Sequence, residues 1–359
     1  MMRTLLKVLQ NIHITSVRWT SRLTSGVPLI ETFKRKTPPW PKIHRCQFCG
    51  NATTGKAEVS ESIRVAELKE RAVLQVTGSD AGSLLQGLIT NDVEILEDGG
   101  QMRAMYTMFL NAQGRVLYDT IIYHQKDGEK GSYLIECDAH IISDLTKHLR
   151  MYKLRKKVDF RDISSEFKVW CLFDKKPLPA ATSNVWVPDP RLNTFMHRAV
   201  APINLSASEI AGETAEASGQ EYRRHRYQLG LAEGVTDLPP GEVLPLEANL
   251  VFLNGVDFNK GCYLGQELTA RTHHTGVIRK RFMPVEIKSS SEVIPAGSAI
   301  KTEKGKNAGK FRSQSGSSGL ALLRVAYGGG ETLHVNLPDG VRCEMVAHVP
   351  PWWPREVLH

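Results

Sequence analysis

The segment Gly255 to Arg271, GVDFNKGCYLGQELTAR, holds the residues best placed to do chemistry. Lys260 stands two positions before Cys262, with only Gly261 between them. An ammonium near a thiol favours the thiolate, and a glycine neighbour leaves the sulfur open. If Gly265, Gln266 and Glu267 open a helix, the positive end of its dipole acts on the sulfur in the same direction. Glu267 and Arg271 then form an i,i+4 pair on one helical face. An isolated cysteine is usually a small buried hydrophobe. The flanking lysine, two glycines and polar Gln266–Glu267 make a poor core environment, so Cys262 reads as a reactive or ligating thiol.

The remaining candidates are weaker. Cys46 and Cys49 have metal-type spacing beside His44, but a structural zinc site wants a second such pair and the chain has none. Cys137, Cys171 and Cys343 are far apart, and no secretory signal argues for a disulfide framework. His273 and His274, read on an extended strand, point to opposite faces and cannot easily serve one ion. Arg150, Lys153, Arg155, Lys156 and Lys157 form a basic cluster, either a solvated face or an anion site. No aromatic residues interleave it as a base-stacking surface requires.

These groups need elements to position them. Arg64 to Val76 reads as two short strands around a polar turn. A helix follows, with Ala81, Leu84, Leu85, Leu88 and Ile89 on one face and Ser79 or Asp80 as its cap. Residues 104–110 and 115–123 read as a strand pair around Asn111-Ala112-Gln113-Gly114. Tyr133–Cys137 is another strand, and from Asp138 a helix presents Ile141, Leu145, Leu149 and Tyr152. Lys168–Phe173 and Val185–Val187 read as strands, and Ser206–Gln220 as a polar loop. Beyond Phe282, short apolar runs at 283–287, 319–325, 332–337 and 341–349 predict a small β-barrel. The expectation is an α+β fold with three segments: 1–57, 58–281 and 282–359.

Charge separates the first segment from the rest. Residues 1–57 carry ten Lys or Arg and one acid, Glu31, a net of +9; the remaining 36 basic and 37 acidic residues net −1. A near-neutral body argues against nucleic acid as the partner. Arg3, Lys7, Arg18 and Arg22 lie along a short amphipathic, acid-free stretch, the pattern of a mitochondrial transit peptide. No apolar run reaches the 18 residues or so of a membrane-spanning helix.

The run Lys260-Gly261-Cys262-Tyr263-Leu264-Gly265-Gln266-Glu267 resembles the signature of the YgfZ-type branch of the folate-binding glycine-cleavage T-protein superfamily. The runs Leu85–Asp92, Phe109–Arg115, Leu244–Asn249 and Thr272–Arg281 agree with it. The resemblance implies a folate-binding region of two subdomains around a central opening, followed by a C-terminal barrel. It also implies a mitochondrial matrix factor that matures 4Fe–4S client enzymes with A-type scaffold proteins. In that role Cys262 is the functional thiol and metal ligand, holding a transient iron–sulfur cluster shared with a partner. Lys260 assists it. Gly261, Gly265, Gln266, Glu267, Arg271, Asn111 and Glu247 complete the site. Tetrahydrofolate binding belongs to the wider superfamily. The aminomethyl-transferring members carry an acidic pair where this chain reads Tyr118-Asp119, so the transferase site is incomplete. A folate-dependent transferase is the alternative reading, and RNA binding through the Arg150–Lys157 cluster is a third.

Overall fold

The computed structural model describes residues 64–97, 103–125, 131–173, 186–212, 214–288 and 293–354. All lie in the second of two units, Glu58–His359. The transit-like segment, Cys46 and Cys49 fall outside the described residues.

β1 (Arg64–Glu67) and β2 (Arg71–Thr77) flank the polar turn at Lys69–Glu70, as the sequence predicts, but enter different sheets. β2 joins β3 (Ala104–Leu110), β4 (Val116–His124), β5 (Tyr133–Asp138) and β6 (Asp159–Asp162) in the order β3-β4-β5-β2-β6. All seven residues of β3 are buried because both faces of this sheet are covered. Phe109, Ile122 and Ile135 pack toward α1 (Ala81–Gln86) and α3 (Ile142–Lys153), with α2 (Glu94–Glu97) between those helices in the chain. Tyr106, Met108 and Ile121 pack on the second sheet.

That second sheet runs β10-β1-β7-β9-β8, from β7 (Phe167–Phe173), β8 (Val187–Pro188), β9 (Met196–Pro202) and β10 (Ala215–Glu216). The segment expected to be a polar loop instead contains α4 (Ala207–Ala211), β10 and the start of α5 (Gly219–Leu229). Both helices open with a capping box, Ser206 with Glu209 and Ser218 with Glu221. Each box satisfies backbone N–H groups that would otherwise be orphaned. The expected cap of α1 is absent. Asp80 makes no cap bond, and its carboxylate accepts from Lys157 N at 2.7 Å.

α6 (Gly234–Asp237) and α7 (Gln266–Thr275) precede a closed barrel of β11 (Lys280–Ile287), β12 (Ala299–Thr302), β13 (Asn307–Ser315), β14 (Ser318–Arg324), β15 (Thr332–Asn336) and β16 (Arg342–Ala347). The barrel and the α+β body agree with the sequence expectation. β12 and β13 were not read, because lysines, glycines and serines interrupt their alternation. Among the described residues no helix is long and apolar enough to cross a membrane.

Candidate functional site

The loop carrying Cys262 is laced onto the turn that follows α1. Gly87 O accepts from Leu264 N at 3.0 Å, and Thr90 O from Asp257 N at 3.1 Å. Thr90 Oγ1 donates to Gly255 O at 2.7 Å, and Asn91 Nδ2 to Asn254 O at 2.8 Å. Thus Leu85–Asp92, a motif far from Cys262 in sequence, is the bed on which the cysteine loop lies.

Lys260 drives the deepest of these contacts. Its Nζ donates to Gln86 O at 2.9 Å, Ile89 O at 2.8 Å and Asn91 O at 2.6 Å. A helix as short as α1 leaves its last carbonyls without partners, and an ammonium has three donors to give them. All three N–H donors of Lys260 are spent on carbonyl oxygens, so it anchors the loop that carries Cys262. Burial pulls this ammonium down to about 8, opposed by the charges of Asp92 and Asp257.

Gly265 caps α7 with φ +79°, and a Cβ there would lie 2.3 Å from Asn111 O. Gly114, in the β3–β4 turn, has φ +78°, and its Cβ would meet Gly265 O at 2.9 Å. Two motif glycines thus let two backbones touch, which no side chain permits. Gly261 has open space around it, so its smallness serves access rather than packing.

Asn111 is occupied locally. Its Oδ1 accepts from Gln113 N at 3.1 Å and Arg115 N at 2.9 Å, which shapes the turn against Gly265. Gln266 folds back so that its Oε1 accepts from Tyr263 N at 3.1 Å. Glu267 and Arg271 form the expected i,i+4 ion pair on the exposed face of α7. Glu247 lies on the other side of α7, lining a cavity with Leu268, Thr269 and Thr272. Burial holds its carboxyl above the ordinary range.

Cys262 is exposed, whereas Cys137, Cys171 and Cys343 are buried. Burial pushes the Cys137 thiol up to about 12 and the Cys171 thiol higher still. Cys262 is thus the one solvent-facing thiol among the described residues. His273 and His274 lie in the last turn of α7 rather than on a strand, and His273 stacks on Phe258 with ring centroids 3.7 Å apart. Among the described residues no three His, Cys, Asp or Glu gather as a metal site.

The second concentration of chemistry was not legible in the sequence. Between the sheets, Arg71, Arg191, Arg198 and Arg226 are buried with Asp119, Glu136, Asp189, Glu233 and Asp237. Arg198 donates to Glu136 at 2.6 Å, to Asp189 at 3.0 Å, and to Tyr222 and Glu233. Arg191 clamps both oxygens of Asp189, at 3.0 and 2.8 Å, and reaches Glu233 at 2.8 Å. Arginine neighbours hold Glu233 well below the usual carboxylate range, against the opposing effect of burial.

Tetrahydrofolate is the group that the fold implies. A cavity of about 600 Å³ opens beside Leu68–Arg71 and Ser218–Tyr222 and reaches Glu233, but not Asp119. Glu233 Oε2 already accepts from Arg191, Arg198 and Tyr222.

The fold and the matched domains place the chain with the aminomethyltransferase-T architecture carrying a C-terminal barrel. Residues 47–172 match the GCVT N-terminal domain, and residues 279–355 match the CAF17 C-terminal beta-barrel domain. The solved glycine cleavage system aminomethyltransferase T from Bartonella henselae superposes with a TM-score of 0.62 at 16% identity, covering 81% of this chain and 86% of that one.

Sequence relatives narrow the class. The chain is 42% identical to the iron-sulfur cluster assembly factor IBA57, mitochondrial, of Mus musculus, over 80% of this chain and 84% of the mouse protein. It is 40% identical to the Homo sapiens factor of the same name, over 86% of this chain and 89% of the human one. A homologue in Mycosarcoma maydis is 37% identical. The chain belongs to the IBA57 family, whose named members are mitochondrial iron–sulfur cluster assembly factors.

Proposed function

We propose that this chain is an iron–sulfur cluster assembly factor of the mitochondrial matrix, with Cys262 as a ligand to a cluster shared with a partner protein. The observation that carries the reading is the contrast among the described thiols: one exposed sulfur on a pinned loop, the other three in the core. Clusters are normally held by four thiolate-type ligands, so the others come from the partner or a small thiol. A-type scaffold proteins are the proposed partners, and 4Fe–4S enzymes the clients. The cluster is cargo, bound only while both proteins meet.

The test is anaerobic mixing of the chain with an A-type scaffold protein carrying a 2Fe–2S cluster, followed by absorption and Mössbauer spectra. A cluster species that requires both proteins supports the reading. Spectra that equal the sum of the separate components contradict it.

One observation favours a second reading, folate-dependent one-carbon transfer. Asp119 Oδ2 is buried without a hydrogen-bond partner, 3.6 Å from Arg71 Nη1, and burial holds this carboxyl above its ordinary range. Saturable tetrahydrofolate binding with aminomethyl turnover, lost in Asp119→Asn, would select that reading.

A further inference from the structure

The cavity behind α7 is not used by a cluster ligand at Cys262. Its walls come from Leu246, Leu268, Thr269, Thr272 and Ile278, and its volume is about 190 Å³. An apolar cavity of about 150 Å³ takes a benzene ring, whereas drug-sized ligands occupy about 300–1,000 Å³. It is sized for one aliphatic or aromatic side chain, not for a cofactor.

Two observations point to an occupant. Thr269 is 2% exposed, yet its Oγ1 has no hydrogen-bond partner. A threonine inside a helix ordinarily donates to the carbonyl four residues back. Thr146 in α3 does so, bonding Ile142 O at 2.7 Å, and Thr269 does not. The second observation is the rim. Val277 is 80% exposed, and the adjoining Arg279 and Lys280 are exposed cations that also line the opening.

We propose that this cavity is the docking pocket for the thiol-bearing partner. An apolar side chain from an acidic segment of that partner fills it, a polar group of the segment bonds the Thr269 hydroxyl, and carboxylates meet Arg279 and Lys280. The inference rests on the reading of Cys262 as a shared ligand, and it says how the partner is held before any cluster forms. From Gly265 to Thr272, α7 rises about 10 Å. A partner footprint of about 800 Å² has a radius near 16 Å, longer than that rise. The rim carries two exposed cations, Arg279 and Lys280, against one half-buried carboxylate, Glu247, and so favours an acidic segment as the occupant.

The experiment is titration calorimetry of the full chain with cluster-free A-type scaffold protein. The double variant Arg279→Glu with Lys280→Glu should weaken binding about tenfold at low salt and flatten its salt dependence. Thr269→Val should weaken it about threefold without lowering Tm, because the hydroxyl it removes has no partner in the fold. Lys301→Glu, at an exposed barrel position outside the cavity, should bind within about twofold of the unmodified chain. Absence of measurable binding by the unmodified chain, or affinities within twofold for both pocket variants, overturns the proposal. So does self-association of the chain that Val277→Asp abolishes. The two readings fail separately: a cluster species that survives Cys262→Ser removes the ligand role, whereas unaffected pocket variants remove the docking role.

Discussion

Two regions of this molecule concentrate charged or reactive side chains, and they are built on opposite plans. Between the sheets, four arginines and five carboxylates lie buried, nearly all paired with one another. At the α7 loop, one exposed thiol stands on backbone fixed by hydrogen bonds to carbonyl oxygens. The first region has charge but little capacity left to bind anything. The second has charges that are paired or spent on the backbone, and an exposed sulfur. A transferase needs the first kind of region open and competent, whereas a protein that presents a ligand to a partner needs the second. The difference makes the fold a rigid mount for Cys262.

The largest expected effect comes from breaking the buried network. Arg198→Met leaves Glu136, Asp189 and Glu233 short of a cation, which should destabilise the chain by about 3–5 kcal/mol. Chemical denaturation measures it, and a loss below about 1 kcal/mol would mean that the network is replaceable.

Acid should act on the same region. Arginine neighbours hold Asp189 at about 2 against the opposing effect of burial, and they hold Glu233 well below its ordinary value. Carboxylates whose folded values are depressed add stability that is complete above their unfolded values and lost as pH falls through the folded ones. Tm should therefore drop steeply from about pH 4 toward 2. Asp119, held high, contributes with the opposite sign. Glu233→Gln should shrink the acid-induced drop, and an unchanged drop would contradict the assignment.

At the loop, the two glycines beside Cys262 should separate. Gly265→Ala forces a Cβ against Asn111 O at a left-handed φ and should cost about 1–3 kcal/mol. Gly261→Ala meets nothing and should change stability by less than about 0.5 kcal/mol. Equal losses would mean that the close approach of Gly265 and Gly114 is not structural. Lys260→Met should cost a similar amount to Gly265→Ala, about 2 kcal/mol, because it strands carbonyls that the ammonium now satisfies. Denaturation of the three variants in parallel ranks them.

The two regions also differ in how far the sequence exposed them. Lys260–Glu267, Leu85–Asp92 and Phe109–Arg115 are contiguous runs of unusual composition, and the fold brings all three together. Their residue roles were less legible. Lys260 lies two residues from Cys262 in sequence, but three carbonyls outcompete the thiol for its donors. The buried network could not be read at all. Arg71 meets Glu136 within one sheet and Arg198 meets Asp189 within the other, and only the packing of the two sheets joins the pairs through Arg198 and Glu136. The capping boxes at Ser206 and Ser218 were visible as Ser-x-x-Glu, but the polar residues around them masked the helices.

The comparison is tested most directly by Cys262→Ser. The variant and the unmodified chain are followed side by side for thermal unfolding and for the cluster absorption formed with 2Fe–2S-loaded scaffold. Sulfur to oxygen is a small change at an exposed site, so Tm should stay within about 2 °C. The shared cluster should disappear. A variant with unchanged cluster yield would contradict the account and leave the motif a purely structural mount.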